Sequence, residues 1–108
     1  MKVTKNISYK EAIVLYDKLS RCIITSQNEY RFSFMTKFYY NMIQLANIVN
    51  NYEIQRKQLE ENLSEDIDGY NLQNKDLLKN VVQIEIALID GYEADETRIS
   101  YDTIKDIY

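Results

Sequence analysis

Histidine is absent from this sequence and glycine is scarce, and these two shortages exclude most enzyme mechanisms. Without histidine, the chain lacks the usual general base, the Ser-His and Cys-His nucleophile pairs and the commonest metal ligand. With Gly69 and Gly91 as its only glycines, it cannot build a phosphate-binding loop of the P-loop or dinucleotide type. We therefore expect a protein that is not an enzyme and that carries no cofactor and no metal.

Cysteine and long apolar runs are also scarce. Cys22 is the only cysteine and can form no internal disulfide, which agrees with a reducing compartment. We expect its thiol to be buried and inert, because no histidine exists to activate it. No apolar run approaches the length of a membrane span, and the opening residues MKVTKNIS lack the apolar core of a secretion signal. The prediction is a cytoplasmic protein.

Length and composition predict a single domain spanning residues 1–108. A hydrophobic fraction of 45% with 28% charged residues is typical of a folded globular protein rather than of a disordered tail. Charge is uneven, because residues 1–57 contain nine Lys or Arg against four Asp or Glu, whereas residues 58–108 contain four against thirteen. This asymmetry indicates either a charged binding face or two halves that neutralise each other in the fold.

One long helix, from about residue 31 to residue 63, organises the predicted fold. Its apolar residues recur in alternating steps of three and four, which is the heptad pattern of coiled coils. This seam consists of Met35, Phe38, Met42, Leu45, Val49, Tyr52, Leu59 and Leu63, with Arg56 as its only break. A second row, formed by Tyr39, Ile43 and Ala46, widens the apolar face. The four asparagines Asn41, Asn47, Asn50 and Asn51 are assigned mostly to the polar side. The charged end of the segment predicts that the helix leaves the core as it proceeds.

A shorter helix precedes the long one. Ser8 and Glu11 form the S-x-x-E pattern of a capping box, which predicts a helix from about residue 9 to residue 23. The polar residues 25–29 would return the chain, so the two helices form an antiparallel hairpin. After the long helix, residues 64–69 are predicted as a charged loop and residues 71–79 as a short helix.

The stretch 81–88 shows two competing periods. Val82, Ile84, Ile86 and Leu88 alternate as in a strand, whereas a helical pattern would place Glu85 within the apolar stripe, so we prefer the strand. Its partner is either residues 2–7 or a hairpin arm beyond Asp90 and Gly91. Residues 100–108 are predicted to form a final capped turn. The predicted fold class is mainly α with a minor β element (α+β), and the alternative is an all-α three-helix bundle.

Four short patterns are spread along the chain: Y-K-E-A-x3-Y-x2-L from Tyr9, F-Y-Y-N-M-x2-L from Phe38, Y-E-x2-R-x2-L from Tyr52 and I-E-I from Ile84. Together they resemble a family of small uncharacterised proteins encoded by tailed phages and prophages of Gram-positive bacteria. The resemblance implies a phage-type source, a host-cell cytoplasmic location and a mainly helical fold with a short β element. It carries no activity that could be assigned to a residue.

The first candidate site is the aromatic cluster at the start of the long helix. Six rings at positions 30, 32, 34, 38, 39 and 40 are interleaved with the cations Arg31 and Lys37. Most of these rings fit a core, while the protein-interface hypothesis rests on Tyr30, Arg31, Phe32 and Tyr40. Phe32 and Tyr40 are the rings predicted to be exposed. The net negative charge argues against direct nucleic-acid binding.

The second candidate site is acidic. It consists of Glu60, Glu61, Glu65, Asp66, Asp68, Glu93, Asp95 and Glu96. Such a series could imitate nucleic-acid phosphates on a basic protein, or it could be solvated surface. A calcium loop does not fit, because the glycine and glutamate that such a loop needs fall on Asn71 and Leu77.

Taken together, these patterns predict a non-enzymatic protein-binding module, most simply a phage or prophage accessory protein. The expected partner is a host or phage protein, or a second copy of the chain in a homodimer, and no membrane is involved. The alternative is an inhibitor of a host defence enzyme, of the anti-CRISPR or another anti-defence type, that acts through the acidic surface.

Overall fold

Three helices and a two-stranded sheet make up the part of the chain that the structure describes. The computed structural model describes residues 2–21 and 30–89, with backbone alone for residues 30–34. The elements follow in the order β1 (Lys2–Ser8), α1 (Tyr9–Ser20), α2 (Tyr30–Asn62), α3 (Ile67–Leu78) and β2 (Val81–Ala87). The predicted α+β class is confirmed, and the three-helix alternative is wrong because residues 81–87 form a strand. No helix in the described ranges combines the length and apolar character that crossing a membrane requires.

The two strands form an antiparallel ribbon whose register runs without a bulge from the pair Lys2 and Ala87 to the pair Ser8 and Val81. Its inner side chains alternate with exposed ones, as the period of two requires. Ile84 and Ile86 are buried, whereas Gln83 and Glu85 face solvent. The prediction of a strand here is confirmed, and so is residues 2–7 as the partner. The alternative hairpin arm and the turn at 100–108 lie outside the described residues.

Strand β1 passes into helix α1 without a loop. Ser8 is the last residue of the ladder and also the N-cap, because its Oγ accepts a hydrogen bond from the Glu11 backbone N–H at 3.1 Å and donates one to Glu11 Oε1 at 3.0 Å. The Tyr9 N–H donates to the Asn80 carbonyl at 3.0 Å. The predicted cap is confirmed, and α1 ends at Ser20 rather than at residue 23. Cys22 lies outside the described residues.

The predicted heptad seam of α2 is the core of the molecule. Phe38, Leu45 and Tyr52 are buried against Ala12 and Leu19 of α1. The remaining seam residues Met35, Met42, Val49, Leu59 and Leu63 are half-buried. A stripe that could have paired with another chain is therefore occupied within this one. Helix α1 covers it as far as Tyr52, whose ring centroid lies 5.7 Å from that of Tyr9, and α3 packs on it from Tyr52 onward.

Helix α3 begins earlier than the sequence predicts, at Ile67 rather than at residue 71. Asp66 is its N-cap and accepts a hydrogen bond from the Gly69 N–H at 2.9 Å. A Cβ at Gly69 would lie 2.3 Å from the Asp66 carboxylate, so glycine allows this close cap. The helix returns along α2, where the Tyr52 hydroxyl donates to Asn74 Oδ1 at 2.7 Å and Leu77 is buried. The prediction that α2 leaves the core as it proceeds therefore holds for its charged end alone, because Ile48 and Tyr52 are still buried and no residue of α2 beyond Tyr52 is.

The side chain of Asn41 binds the ribbon to the long helix through two hydrogen bonds. Its side chain is fully buried, at 0% exposure. The amide nitrogen donates to the Ala87 carbonyl at 2.9 Å, and the amide oxygen accepts from the Ala87 N–H at 2.7 Å. Its assignment to the polar side of the helix is wrong, because Asn41 stands one turn from both Phe38 and Leu45 and shares their buried side.

Replacing Asn41 with leucine should destabilise the protein by about 2 kcal/mol or more, because two buried backbone groups of Ala87 would lose their partners at about 1 to 3 kcal/mol each, offset in part by the apolar side chain. Asn47→Leu is the matched control, since Asn47 is exposed on the same helix. Its effect should stay within about 0.5 kcal/mol. Urea unfolding of both variants measures the difference, and equal effects would contradict the anchoring role.

Candidate functional site

The solvent-facing side of α2 carries an apolar row that the core does not use. We call Tyr39, Ile43, Ala46 and Ile54 the outer row; their positions fall within about a quarter turn of the helix surface. Tyr39 is 51% exposed, Ile43 59% and Ile54 50%, while Ala46 is half-buried. The prediction that the second row widens the buried face is wrong for Tyr39 and Ile43, because α1 and α3 cover only the seam side of α2.

One side of the Tyr39 ring packs against a core residue. Its ring meets the buried ring of Phe38 edge-on, with 5.9 Å between centroids and an interplanar angle of 86°. A ring already supported in this way loses little side-chain freedom when a partner covers its other face. The outer row therefore begins with a preordered aromatic residue, the type most common at the centres of protein interfaces.

Tyr40 has a structural contact that the sequence did not predict. Its hydroxyl donates a hydrogen bond to Glu85 Oε1 of β2, and Lys2 Nζ of β1 lies 4.2 Å from its ring centroid. The hydrogen bond to Glu85 raises the pKa of the Tyr40 phenol, and burial and the negative charge of Glu85 raise it further. The side chain is half-buried rather than exposed as predicted, so it joins α2 to both strands of the ribbon.

The other aromatic candidates cannot be placed as side chains. The backbone of Tyr30, Arg31 and Phe32 forms the first turn of α2, and their side chains lie outside the described residues. Of the four residues in the predicted aromatic interface, the structure therefore locates Tyr40 alone.

Five of the predicted acidic residues converge on the junction between α2 and α3. We call Glu60, Glu61, Glu65, Asp66 and Asp68 the acidic tip; all five are exposed. Two have structural partners, since Glu60 accepts a hydrogen bond from Arg56 at 3.1 Å and Asp66 caps α3. The other predicted acidic residues, at positions 93, 95 and 96, lie outside the described part of the chain.

Arg56, the one break in the heptad seam, is satisfied by polar partners. Its guanidinium donates to Glu53 Oε2 at 3.0 and 3.1 Å and to the Tyr70 hydroxyl at 3.3 Å, in addition to Glu60. Hydrogen bonds to Tyr70 and Glu53 raise the pKa of Arg56, so its charge is fixed. The arginine therefore links α2 to α3 through Tyr70. The acidic residues three before and four after it are a sequence signal for its ion pairs within α2, and no local pattern indicates the contact to Tyr70.

A shallow polar groove of about 450 Å³ separates the far ends of α2 and α3. The residues that line it are Gln55, Gln58, Leu59, Asn62, Gln73, Asp76, Leu77 and Asn80. Amides predominate, and Asp76 is the one titratable group, so the lining offers no acid–base pair. Sequence reasoning missed the groove, because polar residues on two helices carry no signal that they face each other.

The described residues contain no group of three or more cysteine, aspartate or glutamate side chains placed to hold a metal ion. Comparison with known proteins finds no matching family model, no similar curated protein and no similar solved structure.

The hydrogen bond from Tyr40 to Glu85 predicts a pH-dependent contribution to stability. The folded pKa lies above the ordinary value of 10.0, so the contribution is present below pH 10 and is lost as pH rises through the folded pKa. Tyr40→Phe should therefore lower the urea midpoint at pH 7, and the two midpoints should converge above pH 10. Tyr39→Phe, the neighbouring control, should show no such convergence. A constant gap for Tyr40→Phe would contradict the assignment.

Proposed function

We propose that this protein is a non-enzymatic protein-binding module that uses the outer row of α2. The resemblance to small tailed-phage and prophage proteins supports an accessory role within a phage or prophage. The observation that carries the proposal is an ordered helix whose core face is covered by α1 and α3, while Tyr39, Ile43 and Ile54 remain about half exposed on the other face.

The free energy of apolar burial shows how much the outer row can contribute to binding. Fully burying one large apolar side chain is worth about 1.5 to 3 kcal/mol, so completing the burial of three half-exposed ones supplies roughly 2 to 4 kcal/mol. A micromolar complex needs about 8 kcal/mol. The outer row is thus the apolar centre of an interface, and exposed polar residues beside it such as Asn47 supply its rim.

The spacing of the outer row fits a partner with a concave apolar groove. A helix that binds in such a groove presents side chains at intervals of three, four and seven residues, as Tyr39, Ile43 and Ala46 do. Small Ala46 between larger neighbours lets the partner approach the helix backbone closely. A second copy of the chain could instead pair row against row, since a heptad-like spacing is self-complementary.

Ile43→Lys should abolish partner binding without loss of fold. A charge at the centre of an apolar interface must be desolvated without a counter-ion, which costs far more than the contact supplied. Because Ile43 is 59% exposed, the thermal midpoint should change little. Quantitative affinity capture from cells that produce the protein would compare wild type, Ile43→Lys and a control.

Val14→Lys is that control, since Val14 is 60% exposed on α1, away from the outer row. A partner captured by wild type and Val14→Lys, and reduced at least fivefold by Ile43→Lys, supports the proposal. Equal capture by all three proteins would refute it. Sedimentation equilibrium of the same variants distinguishes a homodimer, since Ile43→Lys would then shift the association constant in the purified protein.

The acidic tip supports a second candidate function, inhibition of a host defence enzyme by imitation of nucleic-acid phosphates. Its specific support is that Glu61, Glu65 and Asp68 are exposed and have no ion-pair partner within the described residues. Unpaired carboxylates gathered at one end of the molecule would attract a basic nucleic-acid groove and speed association at low salt.

Neutralising the tip with Glu61→Gln, Glu65→Gln and Asp68→Asn should remove capture of basic nucleic-acid-binding proteins. The matched control changes the net charge by the same three units elsewhere, by adding lysines with Val14→Lys, Ser20→Lys and Gln83→Lys, all of them at exposed positions. If both triple variants lose the same proteins, net charge alone is responsible and the mimic hypothesis fails. Selective loss in the tip variant supports it.

A further inference from the structure

We propose that the outer edge of β1 binds an extended, acidic segment of a partner protein by adding it as a third strand. This edge belongs to the ribbon and not to α2, so the inference is independent of the outer row. It rests on the direction of backbone groups along β1, on their exposure and on the charge around them.

The register determines which backbone groups point outward. Residues that face each other in an antiparallel ladder alternate between pairs that exchange two hydrogen bonds and pairs that exchange none. Ala87 gives both its N–H and its carbonyl to Asn41, so the pair of Ala87 with Lys2 exchanges none. The same alternation turns the N–H and carbonyl groups of Lys2, Thr4 and Asn6 away from β2.

The other end of the ribbon independently supports this assignment of bonded and non-bonded pairs. The Tyr9 N–H donates to the Asn80 carbonyl, and these two residues continue the register by one step beyond the pair of Ser8 and Val81. Seven steps separate that bonded pair from the pair of Lys2 and Ala87. Because bonded and non-bonded pairs alternate, an odd number of steps from a bonded pair leads to a non-bonded pair. The pair of Lys2 and Ala87 is therefore non-bonded, which agrees with the hydrogen bonds between Ala87 and Asn41.

The outward groups of β1 are accessible. Lys2, Thr4 and Asn6 are all exposed. Across residues 2–21 and 30–89, no backbone or side-chain hydrogen bond reaches Thr4 or Asn6 from outside the ribbon. The β2 edge is different, since Asn41 already occupies it at Ala87. β1 contains neither proline nor a bulge, the two backbone devices that commonly close an edge, so three successive outward positions can accept a strand.

The positive charge near β1 favours an acidic strand as the third strand of the sheet. Lys2 Nζ lies 4.2 Å from the centroid of the Tyr40 ring on α2, so the cations left along or beside β1 are Lys5 and Lys10. No carboxylate precedes Glu11 in the sequence. Lys5 is half-buried on the inner side of the ribbon opposite Ile84, where an inward-pointing charge discourages pairing with another uncharged or basic strand. Two copies of β1 would bring their lysines together and repel. A strand with alternating carboxylates would instead place them near these ammonium groups.

A peptide pair tests the charge requirement. The full-length protein is titrated into a fluorescein-labelled, acetylated hexapeptide of alternating glutamate and valine, and into the matching peptide with lysine in place of glutamate. Fluorescence anisotropy should show binding of the acidic peptide at least tenfold tighter than binding of the basic one. Equal affinities, or no binding of the acidic peptide, would overturn the proposal.

Thr4→Pro tests the edge itself. Proline removes the outward N–H of Thr4 and leaves the bonds between β1 and β2 in place, because that N–H takes no part in the ladder. Affinity for the acidic peptide should fall at least fivefold, whereas Thr4→Ala, which keeps the N–H, should bind within twofold of wild type. Unchanged binding by Thr4→Pro, with its circular dichroism spectrum intact, would contradict strand addition.

If Thr4→Pro fails to fold, amide hydrogen exchange on the wild-type protein tests the edge site directly. In the free protein the amides of Thr4 and Asn6 should exchange fast, while those of Val3 and Lys5, which point into the ladder, should be protected. Saturating acidic peptide should slow exchange at Thr4 and Asn6 at least tenfold. Protection that appears on α2 instead, or a loss of peptide binding in Ile43→Lys, would place the peptide on the outer row and refute the edge site.

Discussion

The two hydrogen bonds between Asn41 and Ala87 decide where the ribbon lies. A two-stranded sheet is marginal by itself and must pack on another element. Apolar packing by Ile84 and Ile86 supplies most of the attraction, but it is not directional and would tolerate a shift of the strand along the helix. The buried amide permits one position only, because sliding β2 by a residue would leave the amide and two backbone groups without partners. Tyr40 then adds a second contact one residue earlier on α2.

Residues along helix α2 make contacts with different parts of the fold. The seam forms the core, Asn41 on the same buried side holds the ribbon, and Arg56 joins α2 to α3. The outer row remains, and it differs from the seam by only one residue in sequence: Phe38 is buried while Tyr39 is half exposed. A rotation of about 100° per residue separates them, so whether a ring belongs to the core or to a candidate interface depends on which face the neighbouring elements reach.

Sequence reasoning predicted much of the architecture because the relevant signals are local. The capping box at Ser8, the heptad spacing of α2 and the alternation in β2 each report a backbone geometry within a few residues. The buried role of Asn41 could not be predicted, because an amide between apolar neighbours looks the same whether it faces water or a distant strand. The early start of α3 was missed because Asp66 and Gly69 suggest a loop until the cap between them is seen.

The candidate sites were predicted less well, for a related reason. Exposure depends on what packs from elsewhere in the chain, and the pattern of a wide apolar face does not say how much of that face its neighbours cover. Tyr40 fits an interface by residue type, yet it contacts Lys2 and Glu85 from opposite ends of the described chain. The carboxylates of the acidic tip were placed correctly at the surface because Glu and Asp are rarely buried without partners.

Pairing the first strand with the last described one has a consequence for synthesis. The ladder joins residues between 73 positions apart, for Ser8 with Val81, and 85 apart, for Lys2 with Ala87. A chain made from its amino terminus has β1 early and β2 late, so β1 has no ladder partner until residue 81 has been translated and no complete one until residue 87 has. Contacts this distant in sequence also slow folding, because a long loop must close before they form. Lys2 and Lys5 of β1 carry like charges that oppose pairing of the unpartnered strand with a second copy of itself.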